Sequence, residues 1–475
     1  MKTTTKIFAG IALACSAAGV SAQEAPRTAY FLDGYTFRHQ LNPAFSGERN
    51  YISIPALGNL GIGMNSNVGV NTFLYKLGDG RLTTFMSPTV DASTFLGKLQ
   101  NNNHINLNTD ITLLSAGFRA FHGFNTITVS ARVNAGVNLP KDLFTFMKLG
   151  QDGPDSRYSF RDLQVKGSAL GEVALGHSHR INDRLEIGAK VKLLFGIGHV
   201  NAKIDHMDIR LSGEQWLVDA RGQMNFAAGK GLRLPTKAET GAEYNDPSEA
   251  DLIEWNDIDY DRFSLSGFGL GFDLGATYKL MPNLTLSASL LDLGFVGWKH
   301  NFKGETSNTT WTFDGFRDVA LNSDQPDYDD KKLDQQLDNM WDDLQDCVNF
   351  HRTQADGSNT EALGATLHLG AEYAMPFYEK LTAGFLFTQR IAGCMSWTEG
   401  RFSANVKPVR WFDATINYAA STYGSSFGWM LNFHPKGFNF FVGSDHQFFK
   451  VTPQYVPVGH ANASINLGFN VTFGS

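Results

Sequence analysis

Apolar and polar side chains alternate with a period of two residues along many short stretches of the chain. From Thr126 to Val137, apolar residues hold the odd positions, and Thr, Ser, Arg, Asn and Gly hold the even ones. The same period returns in Leu185 to Phe195, in Leu363 to Tyr373 and in Ile465 to Phe473. This is the period of a β-strand with one apolar face. So many strands of this kind predict a sheet whose two faces meet different solvents.

A membrane is an environment that gives a sheet two such faces. The bilayer interior has no water to satisfy open backbone groups, so a spanning sheet must close on itself. Its apolar residues then face lipid and its polar residues face the lumen. Beyond the N-terminal region, no segment has the roughly 18 uninterrupted apolar residues that a transmembrane helix needs. The sequence therefore predicts an all-β fold, a closed antiparallel transmembrane β-barrel of about 14 strands.

The connections between the predicted strands sort by length. Six short connections fall on one side of the strand order, and long segments such as 73–104, 138–162 and 448–460 fall on the other. Bacterial barrels have this asymmetry, with short periplasmic turns and long extracellular loops. The largest loops, 200–262 and 304–360, are predicted as extracellular insertions. The strands are expected near 58–72, 105–120, 123–137, 163–180, 185–199, 263–280, 284–303, 361–374, 380–391, 395–406, 411–420, 425–434, 437–447 and 461–474.

The first 22 residues have the features of a secretory signal peptide. Two lysines precede an apolar run, and a small-residue cleavage site ends at Ala22. Lipidation at Cys15 is the alternative processing route. Cleavage near Ala22 leaves residues 23–57 as an N-terminal segment and 58–475 as the barrel. The predicted location is the outer membrane of a Gram-negative cell.

Composition agrees with this architecture. The mean hydropathy of −0.21 fits a barrel, because only alternate strand residues meet lipid while the loops meet water. The 37 Phe, 14 Tyr and 8 Trp residues suffice for a lipid-facing wall and interfacial girdles. A net charge of −7 argues against nucleic acid as a partner. Cys347 and Cys394 allow one disulfide, which is too few for a disulfide scaffold.

An Asn-Pro-Ala element lies shortly before the first predicted strand. It is formed by Asn42, Pro43 and Ala44, and Phe45, Ser46 and Gly47 follow. The tripeptide and its position resemble the FadL-type channels for hydrophobic compounds. The longer element resembles the Asn-Pro-Ala-Tyr-Ala-Gly of PorP/SprF-type proteins of type IX secretion. The N-terminus as a whole is most similar to an uncharacterised Bacteroidetes outer-membrane β-barrel family related to these and to PorV-type barrels.

The resemblance implies both an arrangement and a function. In FadL-like barrels the N-terminal segment folds into the lumen as a plug, and Asn42, Pro43, Ala44 and Phe45 carry that element here. A channel for small hydrophobic molecules is then expected, in contact with outer-membrane lipids and such a ligand. The alternative is a non-enzymatic binding or assembly component with a surface or secretion protein as its partner. For the motif itself, an ordinary turn into the first strand is the other interpretation.

Residues that the alternation turns inward determine what the lumen can hold or pass. They carry both signs of charge, which favours a cross-linked, plugged interior over a strongly ion-selective open pore. The predicted lumen-facing residues are Arg132, Lys166, Glu172, Glu186, Lys190, Lys192, Asp273, His368 and Glu372.

The 304–360 loop contains apolar residues at helical spacing. They predict an amphipathic helix at the mouth of the barrel. This helix either caps the pore or offers a docking face to a protein partner. The face consists of Leu333, Leu337, Met340, Trp341 and Leu344, and Val348 continues the spacing.

No residue pattern indicates catalysis, a metal site or a cofactor. Gly424 to Gly428 satisfies G-x-S-x-G, but a nucleophile elbow needs a strand, a turn and a helix, whereas this segment starts a predicted strand. His177 and His179 are two residues apart on one predicted strand, without a carboxylate or cysteine at ligand spacing. We interpret them as lumen or rim histidines, and we predict that the protein is not an enzyme.

Overall fold

β-Strands dominate the structure, a computed structural model that describes residues 25–78, 80–244, 247–307, 310–316, 332–447 and 462–474, with the backbone alone at 333 and 447. The predicted signal peptide lies outside the described residues. The strands are β1 Asn50–Ser53, β2 Leu60–Ser66, β3 Leu74–Lys76, β4 Leu82–Thr84, β5 Asn102–Ala120, β6 Gly123–Pro140, β7 Asp155–Arg180, β8 Leu185–Ser212, β9 Trp216–Ala227, β10 Leu232–Arg233, β11 Asp259–Tyr260, β12 Gly267–Met281, β13 Leu284–Thr306, β14 Trp311–Phe313, β15 Phe350–Ala362, β16 Ala365–Ala374, β17 Leu381–Ile391, β18 Trp397–Val409, β19 Phe412–Ser421, β20 Gly424–Phe433, β21 Phe438–Gln447 and β22 Ala463–Phe473.

The helices are short and lie in the connections. Asp91 caps one of them by accepting a hydrogen bond from the Thr94 N–H at 2.7 Å. Within the described part of the chain, none is long and apolar enough to cross a membrane. The α-helices are α1 Val70–Phe73, α2 Ala92–Leu96, α3 Lys141–Leu149, α4 Lys237–Thr240 and α5 Leu333–Val348, and the 3-10 helices are Arg27–Ala29, Arg38–Gln40, Pro247–Asp251, Trp255–Asp257 and Gly393–Met395.

Fourteen strand positions close into an antiparallel ring, which confirms the predicted β-barrel. β1 and β2 share the first position, since each pairs with β22 on one side and β5 on the other. β15 and β16 likewise follow one another along β13. Beyond the end of β12, β9 continues the wall between β8 and β13. The ring runs β1 with β2, β5, β6, β7, β8, β12, β13, β16, β17, β18, β19, β20, β21, β22 and back to β1.

The two faces of the wall differ as the sequence pattern predicts. On β19, Thr415 and Asn417 point inward and are buried, whereas Ile416 and Tyr418 point outward and are exposed. The alternation therefore separates a polar interior from an apolar exterior, as a barrel in a bilayer requires.

The ends of the barrel differ in the length of their connections. At the end that we call the turn end, tight turns join neighbouring strands, for example Phe121–His122 between β5 and β6. At the opposite loop end, β8 and β9 form a hairpin that extends beyond β12. Two loop-end connections, 392–396 and 422–423, are short as well. The sorting by length therefore holds for the turn end and for most of the loop end.

The wall is interrupted beside β13. Leu291 and Asp292 together oppose the single residue Asp273 of β12, which is a β-bulge. Asp292 has a φ of +58°, a left-handed conformation that is uncommon outside glycine. On the other side of β13, regular pairing stops between the Leu291–Thr366 and Phe295–Ala362 pairs. The strand opposite breaks here between β15 and β16.

The outward face of β19 allows a test of the barrel. Ile416 is 67% exposed on the outer wall. Replacing it by lysine places a charge against lipid, and we expect a loss of about 2–4 kcal/mol in the free energy of unfolding. Urea titration of protein folded into phospholipid vesicles measures this loss. Ile416→Leu is the control, and equal stability of the two variants would contradict a lipid-facing position.

Candidate functional site

The N-terminal segment from Ala25 to Arg49 lies inside the ring, in contact with strands from β8 to β21. Two 3-10 turns fold it, and Phe37 packs edge-on against Tyr51 and Phe441 of the wall. The wall itself begins at Asn50. The structure therefore places residues 50–53 of the predicted 23–57 segment in the barrel, because their backbones pair with β22 and β5.

The Asn-Pro-Ala motif rests on a pair of wall glycines. Gly188 of β8 and Gly275 of β12 are directly opposite each other in the ladder. A Cβ atom on Gly188 would overlap the Pro43 carbonyl, and one on Gly275 would overlap the Asn42 side chain. Glycine is thus required at both positions because the backbone of the segment approaches so closely.

Asn42 closes the turn of the motif and ties it to the wall. Its Oδ1 accepts a hydrogen bond from the Ala44 N–H at 3.0 Å, which forms an Asx turn. Its Nδ2 donates to the Ala288 carbonyl of β13 at 3.2 Å. Phe45 lies beside the motif, with the Arg38 guanidinium 4.1 Å from its ring centroid. The motif therefore fixes the segment to three neighbouring strands, β8, β12 and β13.

The start of the segment is fixed by charge. Asp445 of β21 accepts hydrogen bonds from the backbone N–H groups of Arg27 and Thr28, at 3.0 and 2.7 Å. The Arg27 Nε donates to Glu399 of β18 at 3.1 Å. Its guanidinium lies 4.4 Å from the centroid of the Trp397 ring. These groups are almost fully buried, so each charge depends on its partners rather than on water.

A second buried network joins five strands, β6, β7, β8, β12 and β13, across the lumen. The Arg132 Nη1 of β6 donates to both carboxylate oxygens of Asp292, at 2.9 and 3.0 Å. The Lys192 Nζ of β8 lies 2.7 Å from Asp292 Oδ1 and 2.8 Å from Asp273 Oδ1. Glu172 is 3.6 Å from Arg132. Four residues predicted to face the lumen thus meet at the β13 bulge.

Two further predicted lumen residues contact the N-terminal segment. The Lys190 Nζ donates to the His39 carbonyl at 3.0 Å. Glu186 accepts a hydrogen bond from the Ser46 hydroxyl. Both strengthen the attachment of the segment to β8.

The remaining three predicted lumen residues pair with neighbouring wall residues. Lys166 forms an ion pair with Glu361 at 2.9 Å. Glu372 accepts a hydrogen bond from the Thr382 hydroxyl at 2.9 Å. His368 is hydrogen-bonded to Thr388 at 2.9 Å. The centroid of the His368 ring also lies 5.8 Å from that of Tyr30 in the N-terminal segment.

Sequence reasoning missed Asp292, Glu399, Arg401 and Asp445. Glu399 and Arg401 alternate with the outward Phe402 on β18, so the period of two could have found them. Asp292 is different, because strict alternation from the outward Leu290 places it against lipid. The bulge turns it inward, and a single sequence carries no clear signal for a bulge at this residue.

The lumen between the segment and the wall contains a small cavity. Its volume is about 90 Å³, enough for a few water molecules. Arg27 and Leu41 line it from the segment, and Glu172, Asp292 and Arg390 line it from the wall. The cavity is therefore polar and charged, and it borders the interruption in the wall.

Apolar side chains fill the lumen on the loop-end side of this cavity. We call them the inner apolar cluster. Because Leu194 follows Lys192 on β8 and Val296 follows Asp292 on β13, the cluster lies next to the charged network. Its members are Leu170, Leu194, Ala227, Val296 and Trp298, with Leu363 packed against them.

The serine of the G-x-S-x-G match is a structural residue in this arrangement. The Ser426 Oγ lies 2.7 Å from His446 Nδ1, and His446 Nε2 lies 3.0 Å from the Arg27 guanidinium. A guanidinium can only donate, so Nε2 accepts and Nδ1 carries the proton. The imidazole therefore donates to Ser426 and cannot act as its base in this state. Gly424 begins β20, as predicted.

Part of the apolar face of helix α5 packs against the rest of the protein. Met340 is buried, and Leu344 packs into a cluster with Trp216, Val218 and Trp311. Trp341 is 58% exposed and Leu337 is exposed. The side chain of Leu333 lies outside the described residues. The helix thus covers the β9–β14 extension and leaves two apolar side chains at its surface.

A partly buried ion-pair cluster joins the helix to the preceding loop. The Lys237 Nζ lies 2.8 Å from Asp346 and 3.0 Å from Glu249. Burial opposes the charge on Lys237, but the hydrogen bonds that its Nζ donates to both carboxylates outweigh this effect and raise the pKa of the amine. These hydrogen bonds therefore favour the charged form of Lys237.

Cys347 and Cys394, the two cysteines of the described residues, are free thiols, so the disulfide that the sequence allows between them is not formed. Cys347 is buried in α5, with its Sγ 4.0 Å from the Val218 carbonyl. Cys394 lies in the 3-10 turn between β17 and β18. Burial raises the pKa of both thiols, which makes them poor nucleophiles.

The chain is similar to one family model and to several solved barrels. The model of a family of unknown function, DUF5723, matches residues 43–445. The toluene transporter TbuX of Ralstonia pickettii is 9% identical, with a TM-score of 0.43 over 93% of this chain and 95% of that one. The toluene transporter TodX of P. putida is 10% identical, with a TM-score of 0.38 over 91% and 92%. A FadL homologue of Pseudomonas aeruginosa is 12% identical, with a TM-score of 0.34 over 95% and 98%. No curated protein matches the chain.

The glycine pair under the motif should be intolerant of any side chain. In Gly188→Ala and Gly275→Ala the new methyl group overlaps the motif, so the segment must move. We expect faster hydrogen exchange in peptides covering residues 38–47. The control is Gly271→Ala, also in β12, whose Cβ would lie 3.3 Å from the movable Leu363 side chain. Unchanged exchange in both variants would show that the motif does not rest on these glycines.

The charged anchor should contribute more to stability than any surface pair. Arg27→Gln leaves Glu399 and Asp445 buried without their full partners, and we expect a loss of about 3–5 kcal/mol. Denaturant titration monitored by tryptophan fluorescence measures it, since Trp397 contacts Arg27. Lys407→Gln, which removes an exposed pair with Glu48, should cost less than about 1 kcal/mol. Equal losses would contradict the anchor.

Proposed function

The chain belongs to DUF5723, a family of unknown function, and we propose that it is an outer-membrane channel that passes small hydrophobic molecules sideways through its wall. The interruption beside β13 carries this proposal. There the ladder is irregular over residues 292–294 and 363–365, with the cavity on one side and the lipid-facing surface on the other.

A straight path through the lumen does not suit an apolar molecule. The N-terminal segment occupies the lumen, and we propose that it acts as a plug. Buried ion pairs at Arg27 and Asp292 surround the remaining cavity. An apolar molecule would have to displace both the segment and bound water, without replacing their hydrogen bonds.

A lateral path has apolar surfaces at both ends. The inner apolar cluster lies on the loop-end side, and Leu363 of that cluster is part of the interruption. On the outer surface, Phe295 is exposed beside the same break. A molecule that leaves the cluster at Leu363 therefore reaches the bilayer after passing one layer of backbone.

The path can be tested at Leu363. Leu363→Asn places an amide in the apolar cluster, and we expect several-fold slower uptake of a radiolabelled apolar aromatic compound by cells that depend on this protein. Leu363→Ile keeps the apolar surface and should retain uptake. Cells lacking the protein set the baseline. If their uptake equals that of wild type, and mass spectrometry of gently extracted protein finds no apolar ligand, the channel function is wrong.

A binding or assembly function is the second candidate, and the surface of α5 favours it. Trp341 and Leu337 remain exposed, whereas Met340 and Leu344 of the same helix pack on the protein. A photoreactive residue at 341 should cross-link a defined surface or secretion protein in whole cells, whereas one at Glu214, on the β8–β9 turn, should not. Cross-links only to lipid, or none, would contradict a protein partner at this helix.

A further inference from the structure

The β13 bulge places a carboxylate at the point where the proposed lateral exit meets the lumen. We propose that Asp292 is a latch: its ion pairs with Arg132 and Lys192 hold the interruption in the wall closed. The proposal rests on the proposed function for its biological meaning, but the latch itself is a property of the barrel that can be measured without a substrate.

The backbone of Asp292 has an uncommon left-handed conformation, and the contacts of its side chain explain why this conformation is stable. The preceding residues alternate regularly, with Leu290 outward and Leu291 buried inside. A regular strand would turn Asp292 outward against lipid, where a charge is costly. The left-handed φ of +58° instead turns it inward. After the bulge, Phe295 points outward and Val296 points inward. The conformation of Asp292 therefore determines which side chains of the rest of β13 face lipid and which face the lumen.

Contacts on three sides fix this conformation. The Asp292 N–H donates to Asp273 Oδ1 at 2.8 Å. Its carboxylate accepts hydrogen bonds from Arg132 of β6 and Lys192 of β8, with donor–acceptor distances of 2.7 to 3.0 Å. The bend in β13 is thereby tied to three other strands, across the lumen as well as beside it.

The same bend faces the break in the neighbouring strand. At the loop-end border of the break, the Leu363 N–H donates to the Gly294 carbonyl at 2.9 Å. At its turn-end border, the Arg390 Nη1 donates to Thr366 at 3.3 Å. Widening the break requires residues 292–294 to move away from 363–365. Because Asp292 is tied to the far side of the lumen, its ion pairs oppose that movement.

The test compares variants that keep the bulge but remove the charge. Asp292→Gly tolerates the left-handed φ and lacks the carboxylate, and Asp292→Asn tolerates it with a neutral amide. We expect at least tenfold faster hydrogen exchange at Gly294 and Leu363 in Asp292→Gly, with a smaller increase in Asp292→Asn. Glu372→Gln, which changes a lumen carboxylate away from the network, should leave these amides unchanged.

A disulfide at the loop-end border of the break provides the decisive control. Phe295 and Ala362 are direct partners in a non-hydrogen-bonded pair, a geometry that accepts a disulfide. In a Cys347→Ser, Cys394→Ser background, Phe295→Cys with Ala362→Cys should return the exchange of Asp292→Gly to the wild-type rate, and a reductant should restore the fast rate.

The outcomes separate the latch from the channel. Unchanged exchange in Asp292→Gly, or fast exchange that the disulfide does not slow, overturns the latch whatever the uptake result. Fast exchange that the disulfide suppresses supports the latch, and faster uptake of the apolar aromatic compound by Asp292→Gly then links it to transport. If exchange behaves as expected but wild-type and deletion cells take up the compound equally, the latch stands and the channel function fails.

Discussion

Charges inside this barrel are shut off from bulk water, and lipid cannot solvate them, so each must be paired with an opposite charge or with hydrogen-bonding groups. That constraint organises the lumen. Arg27 brings the N-terminal segment to Glu399 and Asp445, and Arg132 brings β6 to Asp292. Aromatic contacts fill the remaining space, but they are tolerant of small shifts. The ion pairs are not, because a displaced charge would be left uncompensated.

The glycine pair and the ion pairs act on opposite ends of the same segment. Gly188 and Gly275 leave the space that the Asn-Pro-Ala turn fills. At the other end, the Asp445 carboxylate accepts hydrogen bonds from the first backbone N–H groups of the segment. Between them the Gly34 N–H donates to Asp413 at 3.0 Å, which ties the middle of the segment to β19. A segment with few regular hydrogen bonds of its own is thus defined by the wall around it.

The barrel could be predicted from the sequence because its signal is local. Alternation over ten residues, as around Ile465 to Phe473, determines both that a strand forms and which side meets lipid. The position of Asn42 against Gly188 and Gly275 depends on residues more than 140 positions away in the sequence, and no periodicity predicts such a contact. The sequence pattern did not identify Asp292, because the bulge breaks the alternation on which the other lumen predictions depend. The exposed part of α5 followed the predicted helical spacing, but its buried part depends on β9 and β14, which only the fold brings beneath it.

The ring closes where β1 pairs with β22, and this affects how the protein assembles. β1 begins at Asn50, directly after the segment, and pairs with β22, the last strand of the described residues. Arg27 reaches Asp445, separated from it by 418 residues. The segment is therefore enclosed only when the final strands arrive, so closing the wall and filling the lumen are one event. Contacts of such sequence separation form slowly. Until they form, the buried charges of the segment and the open edges of β1 and β22 are exposed together, and the unfinished barrel depends on its assembly environment for protection.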